Sequence, residues 1–131
     1  MRFELIDTVL EQGDDRLVGI KSVTAAEEYL GDHFPTFAVL PGVMMLEAMV
    51  QAARKLLGDG PDGRPWVLAE VRNVRYGNMV RPGQQLRVEV QLTKSDEQTR
   101  TFQGRGTVDG EVAVQGRFKL RPRQDARPHE Q

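Results

Sequence analysis

Residues 41–58 read PGVMMLEAMVQAARKLLG, and the reading of this stretch decides the fold. Pro41 suits a first helical turn, Arg54 and Lys55 complement the negative end of a helix dipole, and Gly58 is a stop signal. The spacing therefore predicts one helix over 42–57. Its N-terminal half is apolar almost all round, the pattern of a helix enclosed on every side rather than one lying on a surface. The surrounding apolar run, 37–50, contains Pro41, Gly42 and Glu47 and is too short and too interrupted to span a bilayer. A buried helix in a soluble domain is expected, with no membrane partner.

Working outward, the segments on both sides read as strands. Residues 3–11 and 16–23 are separated by Gly13-Asp14-Asp15, a turn sequence, and form an expected hairpin. Thr24 is a candidate N-cap for a short helix over 25–30, ended by Gly31, and a loop follows over 32–40. Beyond the long helix, a polar loop at 59–65 leads to a strand over 66–76. The clearest period-two signal is Leu86, Val88, Val90 and Leu92 alternating with Arg87, Glu89, Gln91 and Thr93, a strand with one wet face. Strands over 98–108 and 111–120 are joined by Asp109-Gly110, a strong two-residue hairpin signal. One long helix and five or six antiparallel strands make an α+β fold, a curved sheet wrapped around a central helix. Such a sheet has apolar surface and edges left to cover, so a dimer is expected. The segment 121–131, RPRQDARPHEQ, has too little apolar surface to offset the entropy of ordering. The expected division is a folded domain over 1–120 and a disordered tail over 121–131.

Composition removes several classes of function. With 131 residues and 39% hydrophobic content, one domain with a modest core is expected. The 18 basic and 19 acidic residues nearly cancel, so nothing points to nucleic acid or a membrane surface. The absence of cysteine removes disulfides, thiolate nucleophiles and cysteine-based zinc sites. With one histidine outside the tail there are too few ligands for a metal site, and no cofactor is implied. The N-terminus carries acids and lacks the basic start and apolar core of a secretory signal, so a cytoplasmic location is expected.

Three features can carry chemistry. Glu47 is the sole charged side chain across residues 34–53, and an ionised carboxylate in an apolar setting is either paired or has a raised pKa and a task. The plain structural reading is an acid that reaches solvent at a groove or pairs with an arginine. His33 is the only histidine outside the tail, stiffened by Phe34-Pro35; a single loop histidine is more often a bland surface or capping residue. At Pro41-Gly42-Val43, glycine lets a ligand approach the first helical amides, whose N–H groups and dipole can polarise a carbonyl oxygen, although Pro-Gly is also ordinary punctuation. A base, an acid and an oxyanion donor close in the chain suit proton transfer beside a carbonyl.

The order Asp32-His33-Phe34-Pro35, Leu40-Pro41-Gly42-Val43 and Leu46-Glu47-Ala48-Met49-Val50-Gln51 resembles the H-F-P, P-G-V and E-A-x-x-Q signature of FabZ-type 3-hydroxyacyl-ACP dehydratases. Arg81-Pro82-Gly83 and Val108-Asp109-Gly110 extend the likeness more weakly. The resemblance implies a hotdog fold and a homodimer with shared active sites, often assembled into a trimer of dimers, acting on substrate carried by an acyl carrier protein. It implies His33 as the group that takes the C2 proton of a 3-hydroxyacyl thioester, and Glu47 of the other subunit as the group that helps the C3 hydroxyl leave. Gly42 and Val43 would bind the thioester oxygen. Whether the histidine or the glutamate returns the proton stays open. Glutamate at 47, where isomerising relatives of this family carry aspartate, argues for plain dehydration to a trans-2-enoyl product.

The chain also departs from the pattern. Asp32 stands where glycine usually precedes the histidine, Thr36-Phe37-Ala38 replaces G-x-P, and Gly77-Asn78-Met79 replaces a basic stretch. Phe34, Phe37, Met44, Met45, Tyr76 and Met79 are candidates to line an acyl tunnel, although methionine at helical spacing is more often plain core. Arg75 and Arg81, with Arg54, Lys55 and Arg72 beside them, are candidates to dock an acidic carrier protein. The alternatives are a hotdog thioesterase and a non-catalytic acyl-chain binding protein.

Overall fold

The computed structural model describes residues 5–23 and 40–124. In chain order the elements are β1 (Thr8–Gln12), β2 (Arg16–Ser22), α1 (Gly42–Leu57), a single 3-10 turn (Pro61–Gly63), β3 (Trp66–Tyr76), β4 (Gln85–Ser95), β5 (Arg100–Val108) and β6 (Glu111–Pro122). The six strands form one sheet in the order β1-β2-β4-β5-β6-β3. Every neighbouring pair is antiparallel. The chain therefore leaves β2, passes through α1 and enters the sheet again at its far edge before the β4-β5-β6 meander fills the middle. This is the hotdog arrangement, a sheet wrapped on one long helix. The short helix expected over 25–30 lies outside the described residues.

Strand alternation divides the sheet into two faces. On β4, Leu86, Val88 and Val90 are buried while Arg87, Glu89 and Gln91 lie outward, so the period-two reading holds over 86–91; Leu92 is only partly buried, where a bulge between Leu92 and Lys94 shifts the register. The inner face packs under α1, where Met45, Ala48, Met49, Ala52 and Ala53 join Phe102, Val114, Phe118 and Leu120 in one core. Alanines on the buried side let the helix come close to the sheet. On the outer face Arg16 donates from Nε to Glu89 at 2.9 Å. That hydrogen bond holds the Glu89 carboxyl below its usual range.

At the β5–β6 turn Asp109 and Gly110 have φ of 51° and 82°. Positive torsions at both central residues are what a two-residue turn needs to follow the twist of its strands, and Asp-Gly tolerates them. Besides β1, which runs Thr8–Gln12 rather than over 3–11, three details differ from expectation. β5 begins at Arg100 rather than at 98, because Asp96 N–H bonds the Thr99 carbonyl at 2.9 Å and keeps 96–99 as the turn. β6 runs on to Pro122, opposite Trp66, two residues past the expected end at 120, because β3 still offers a partner there. Residues 125–131 of the tail lie outside the described residues.

The third difference concerns α1. The helix has the expected limits, but it is not enclosed on all sides: Val43 is 66% exposed, and Met44 and Leu46 are only partly buried. A six-stranded sheet covers one side of a cylinder about 10 Å wide, and the apolar remainder is left open. The β3 edge continues that surface with Leu68, Val71 and Tyr76 exposed. A bulge at Asn73, whose φ is 56°, interrupts its pairing with β6.

Candidate active site

Glu47 lies one and a half turns into α1, on the margin between the covered and open sides, and its side chain is 41% exposed. The solvent-reaching, arginine-paired reading of this acid therefore describes its surroundings in the single chain. Arg54 places Nη1 3.6 Å from Glu47 Oε2, and Gln51 Nε2 lies 3.3 Å from the same oxygen. Both partners sit on α1 itself, at i+4 and i+7, spacings that return to one helix face. Neither was legible as a partner from composition. The signal available was the spacing, and it was obscured because Arg54 had an adequate explanation at the helix C-terminus. Oε1 of Glu47 has no hydrogen bond or ion pair among the described residues.

The start of α1 lies within reach of the same surface. Pro41 is the N-cap residue, in an extended conformation, and no side chain caps the helix. By position the amides of Gly42 and Val43 have no intrahelical acceptor. A Cβ built on Gly42 would lie 2.9 Å from Tyr76 Cε1, so the tyrosine ring covers the place where any other residue would carry its side chain. Leu40 N–H donates to the Val80 carbonyl at 2.8 Å, which brings residues 76–80 alongside the helix entry. Val43, Tyr76 and Met79 are thus exposed apolar side chains on segments flanking the helix start. Met44 faces the core margin.

The other expected residues divide as follows. His33, Phe34 and Phe37 lie outside the described residues. Arg75 points to the outer sheet face, opposite Gln115, and shares a hollow with Gln103 and Arg117. Arg81 belongs to the turn before β4 and shares a separate hollow with Met79, Asp109 and Glu111. A hollow of about 770 Å³ on the outer face, away from α1, is lined by Arg87, Glu89, Arg105 and Asp109 among others. Arg105 and Arg117 were not marked by sequence reading. Their outward placement follows from strand alternation alone. No helix of the described residues is long and apolar enough to cross a membrane.

Comparison with known proteins agrees with the fold. A family model described as a FabA-like domain matches residues 1–117. The chain is 41% identical over 83 residues to a protein of Lactococcus lactis subsp. cremoris (strain SK11) named 3-hydroxyacyl-[acyl-carrier-protein] dehydratase FabZ, a match covering 62% of this chain and 58% of that protein. It is 45% identical over 84 residues to the protein of that name from Solibacter usitatus (strain Ellin6076), covering 62% of this chain and 52% of that one. The chain thus spans little more than half the length of these relatives. Among solved structures, the dehydratase heterocomplex ApeI:P from Xenorhabdus doucetiae superposes with a TM-score of 0.72 at 23% identity, over 97% of this chain and 86% of that one. Thioesterase superfamily member 2 from Mus musculus gives 0.66 at 15% identity, over 87% and 80%. The two neighbours share the fold and differ in the chemistry they are named for, so the fold does not choose between them.

Proposed function

Because the chain belongs to the FabA-like domain family, we propose that it is a (3R)-3-hydroxyacyl-acyl-carrier-protein dehydratase, forming a trans-2-enoyl thioester and water in fatty acid or related lipid biosynthesis. The observation that carries the reading is Glu47. It is the one acid of α1, with Oε2 held by Gln51 and Arg54 and Oε1 without a contact among the described residues, on the helix whose first amides have no intrahelical acceptor. The relatives named for this activity at 41% and 45% identity support it.

In this reading His33 takes the C2 proton, which is acidic because the thioester carbonyl can accept the electron pair. The Gly42 amide, with Val43 beside it, holds the carbonyl oxygen as enolate character develops, at the positive end of the α1 dipole. Loss of the C3 hydroxyl as water, at Glu47, completes the enoyl product. Phe34, Phe37, Met44, Tyr76 and Met79 line the acyl chain. The site belongs to a homodimer, with His33 from one subunit and Glu47 from the other, and a trimer of dimers is the larger assembly. The uncovered Val43, the half-open Met44 and Leu46, and the exposed Leu68 and Val71 on the β3 edge support a covering copy of the chain. The catalytic unit runs to the end of β6 at Pro122, and the protein works in the cytoplasm.

The test is hydration and dehydration of crotonyl and 3-hydroxybutyryl thioesters, on coenzyme A and on acyl carrier protein, followed by enoyl absorbance. Interconversion without release of free thiol is the expected result. Release of thiol without interconversion makes the protein a thioesterase, and acyl binding with neither reaction makes it a binding protein.

Two further outcomes are expected. Gly42→Ala pushes the Tyr76 ring aside, because its Cβ would stand 2.9 Å from Cε1. The half-exposed ring can move, so the fold survives, but kcat/KM falls by about 10-fold, within the roughly 100-fold that an ångström of misplacement removes. Steady-state kinetics in a Tyr76→Ala background check it, since there the added methyl meets no ring and its effect shrinks. Arg75→Glu with Arg81→Glu lowers kcat/KM for carrier-bound substrate by about 10-fold, through a slower encounter with an acidic partner. It leaves a coenzyme A substrate unaffected, and equal kinetics on both handles would remove these arginines from docking.

A further inference from the structure

The Glu47 carboxylate is held from two directions, and each holder is tied to another part of the fold. Gln51 donates Nε2 to Oε2, and its own Oε1 accepts the Leu5 amide at 2.8 Å, on the segment leading into β1. Arg54 faces the same Oε2 at 3.6 Å and donates Nε to the Trp66 carbonyl at 3.0 Å, at the first residue of β3. Trp66 is a firm anchor. It is buried, paired in register with Pro122 of β6, and its ring lies under the Arg100 guanidinium at 5.1 Å. The Arg54 fork is therefore aimed by the edge strand, because its Nε is already committed and only the terminal nitrogens can turn toward Glu47.

Resting on the dehydratase reading, we infer that Arg54 is a positioning residue, which together with the Trp66 carbonyl holds Glu47 by Oε2 and leaves Oε1 to meet the substrate. With an amide donor and a guanidinium both on Oε2, turning the carboxyl would break both contacts. Oε1 is then the atom that meets the C3 hydroxyl and orients it. The step balances on one proton, carried by His33. The imidazole takes the C2 proton as the C2–H pair becomes the C2–C3 π bond. The C3–O pair leaves with the hydroxyl oxygen, and the imidazolium gives that oxygen the same proton, forming water and returning the neutral base. No other donor is needed, and the balance closes on substrate, enoyl product and water.

Arg54 touches no reacting atom, so its effect must pass through Glu47, and a double-mutant cycle separates this from a general structural role. The full-length protein and its Arg54→Met, Arg54→Lys, Glu47→Gln and Glu47→Gln/Arg54→Met variants are assayed on 3-hydroxybutyryl thioesters. Arg54→Met is expected to lower kcat by about 30-fold with KM nearly unchanged, inside the roughly 100-fold range of a misplaced group. Arg54→Lys recovers part of it, since an ammonium keeps the charge but loses the fork. Adding Arg54→Met to Glu47→Gln should change nothing more. Wild-type kcat in Arg54→Met, or a further full loss in the Glu47→Gln background, overturns the inference while the dehydratase reading stands. A wild-type protein that turns over neither thioester overturns both.

Discussion

Glu47→Gln lowers turnover of a 3-hydroxyacyl thioester by about 10²- to 10⁴-fold, the range that general acid–base groups contribute, while the protein remains folded. His33→Ala produces a loss of the same order. Glutamine keeps the size and reach of the side chain but cannot take part in proton transfer, and its amide oxygen accepts more weakly than a carboxylate from the C3 hydroxyl and from Arg54. The fold tolerates the change because the Glu47 side chain is 41% exposed and its Arg54 partner 38%, and an ion pair in that much water contributes little to stability. Enoyl absorbance gives the rate and thermal melting gives the fold. A Glu47→Gln protein within a few-fold of wild type would take the carboxylate out of the reaction and leave it a solvated acid at the helix margin. Because the proposed site joins His33 and Glu47 of different subunits, mixing the two inactive variants should restore a fraction of activity, as half of the sites in a mixed dimer are intact.

Phe102→Ala is expected to give the largest loss of stability. Phe102 is fully buried on the inner face of β5, directly opposite Phe118 on β6 in the antiparallel register. The two rings stack with centroids 5.5 Å apart and planes 14° from parallel. The space above them is already filled: a Cβ on neighbouring Gly104 would come within 2.7 Å of Met49 Sδ of α1, so helix and sheet are in contact there. Removing the ring leaves a cavity that neither layer can close, and such truncations cost about 3–5 kcal/mol. Against a total of about 5–15 kcal/mol, that is a large part of the whole. For a domain of this size it corresponds to a fall in Tm of roughly 10–20 °C. Urea melts at one fixed protein concentration measure it, with concentration held because association adds to apparent stability. A loss below about 1 kcal/mol would mean that the inner layer is looser than the register and stacking imply.

The fold was legible wherever neighbours in sequence decide the conformation. The limits of α1 follow from Pro41 and Gly58, β4 from its alternation, and the β5–β6 turn from Asp109-Gly110, and each was found where it was expected. The errors arose where partners are distant. The apolar N-terminal half of α1 was read as enclosed, because hydrophobicity records what a residue must avoid and not which surface will cover it. In the single chain Val43 is exposed and Met44 and Leu46 are half open. β6 passes its expected end because β3 lies beside it, a pairing across more than fifty positions that no local pattern carries.

For the proposed site, residue type and spacing marked His33, Glu47 and Gly42 as candidates, since few side chains can move a proton or stabilise an oxyanion, and the family resemblance supplied their proposed roles. The surroundings of Glu47 were a different matter. Sequence spacing places Arg54 two turns from Glu47, but its Nε is bound to the Trp66 carbonyl only because the sheet order puts β3 at the edge beside β6. The Tyr76 ring lies on Gly42 only because the segment after β3 returns to the helix start. The sequence by itself determined the elements, their faces and the chemical groups at hand, since these depend on backbone torsions and periodicity within a few residues. The tertiary structure alone decided that Oε2 of Glu47 is the oxygen held by Gln51 and Arg54, because that is set by contacts between segments brought together by the burial of the whole core.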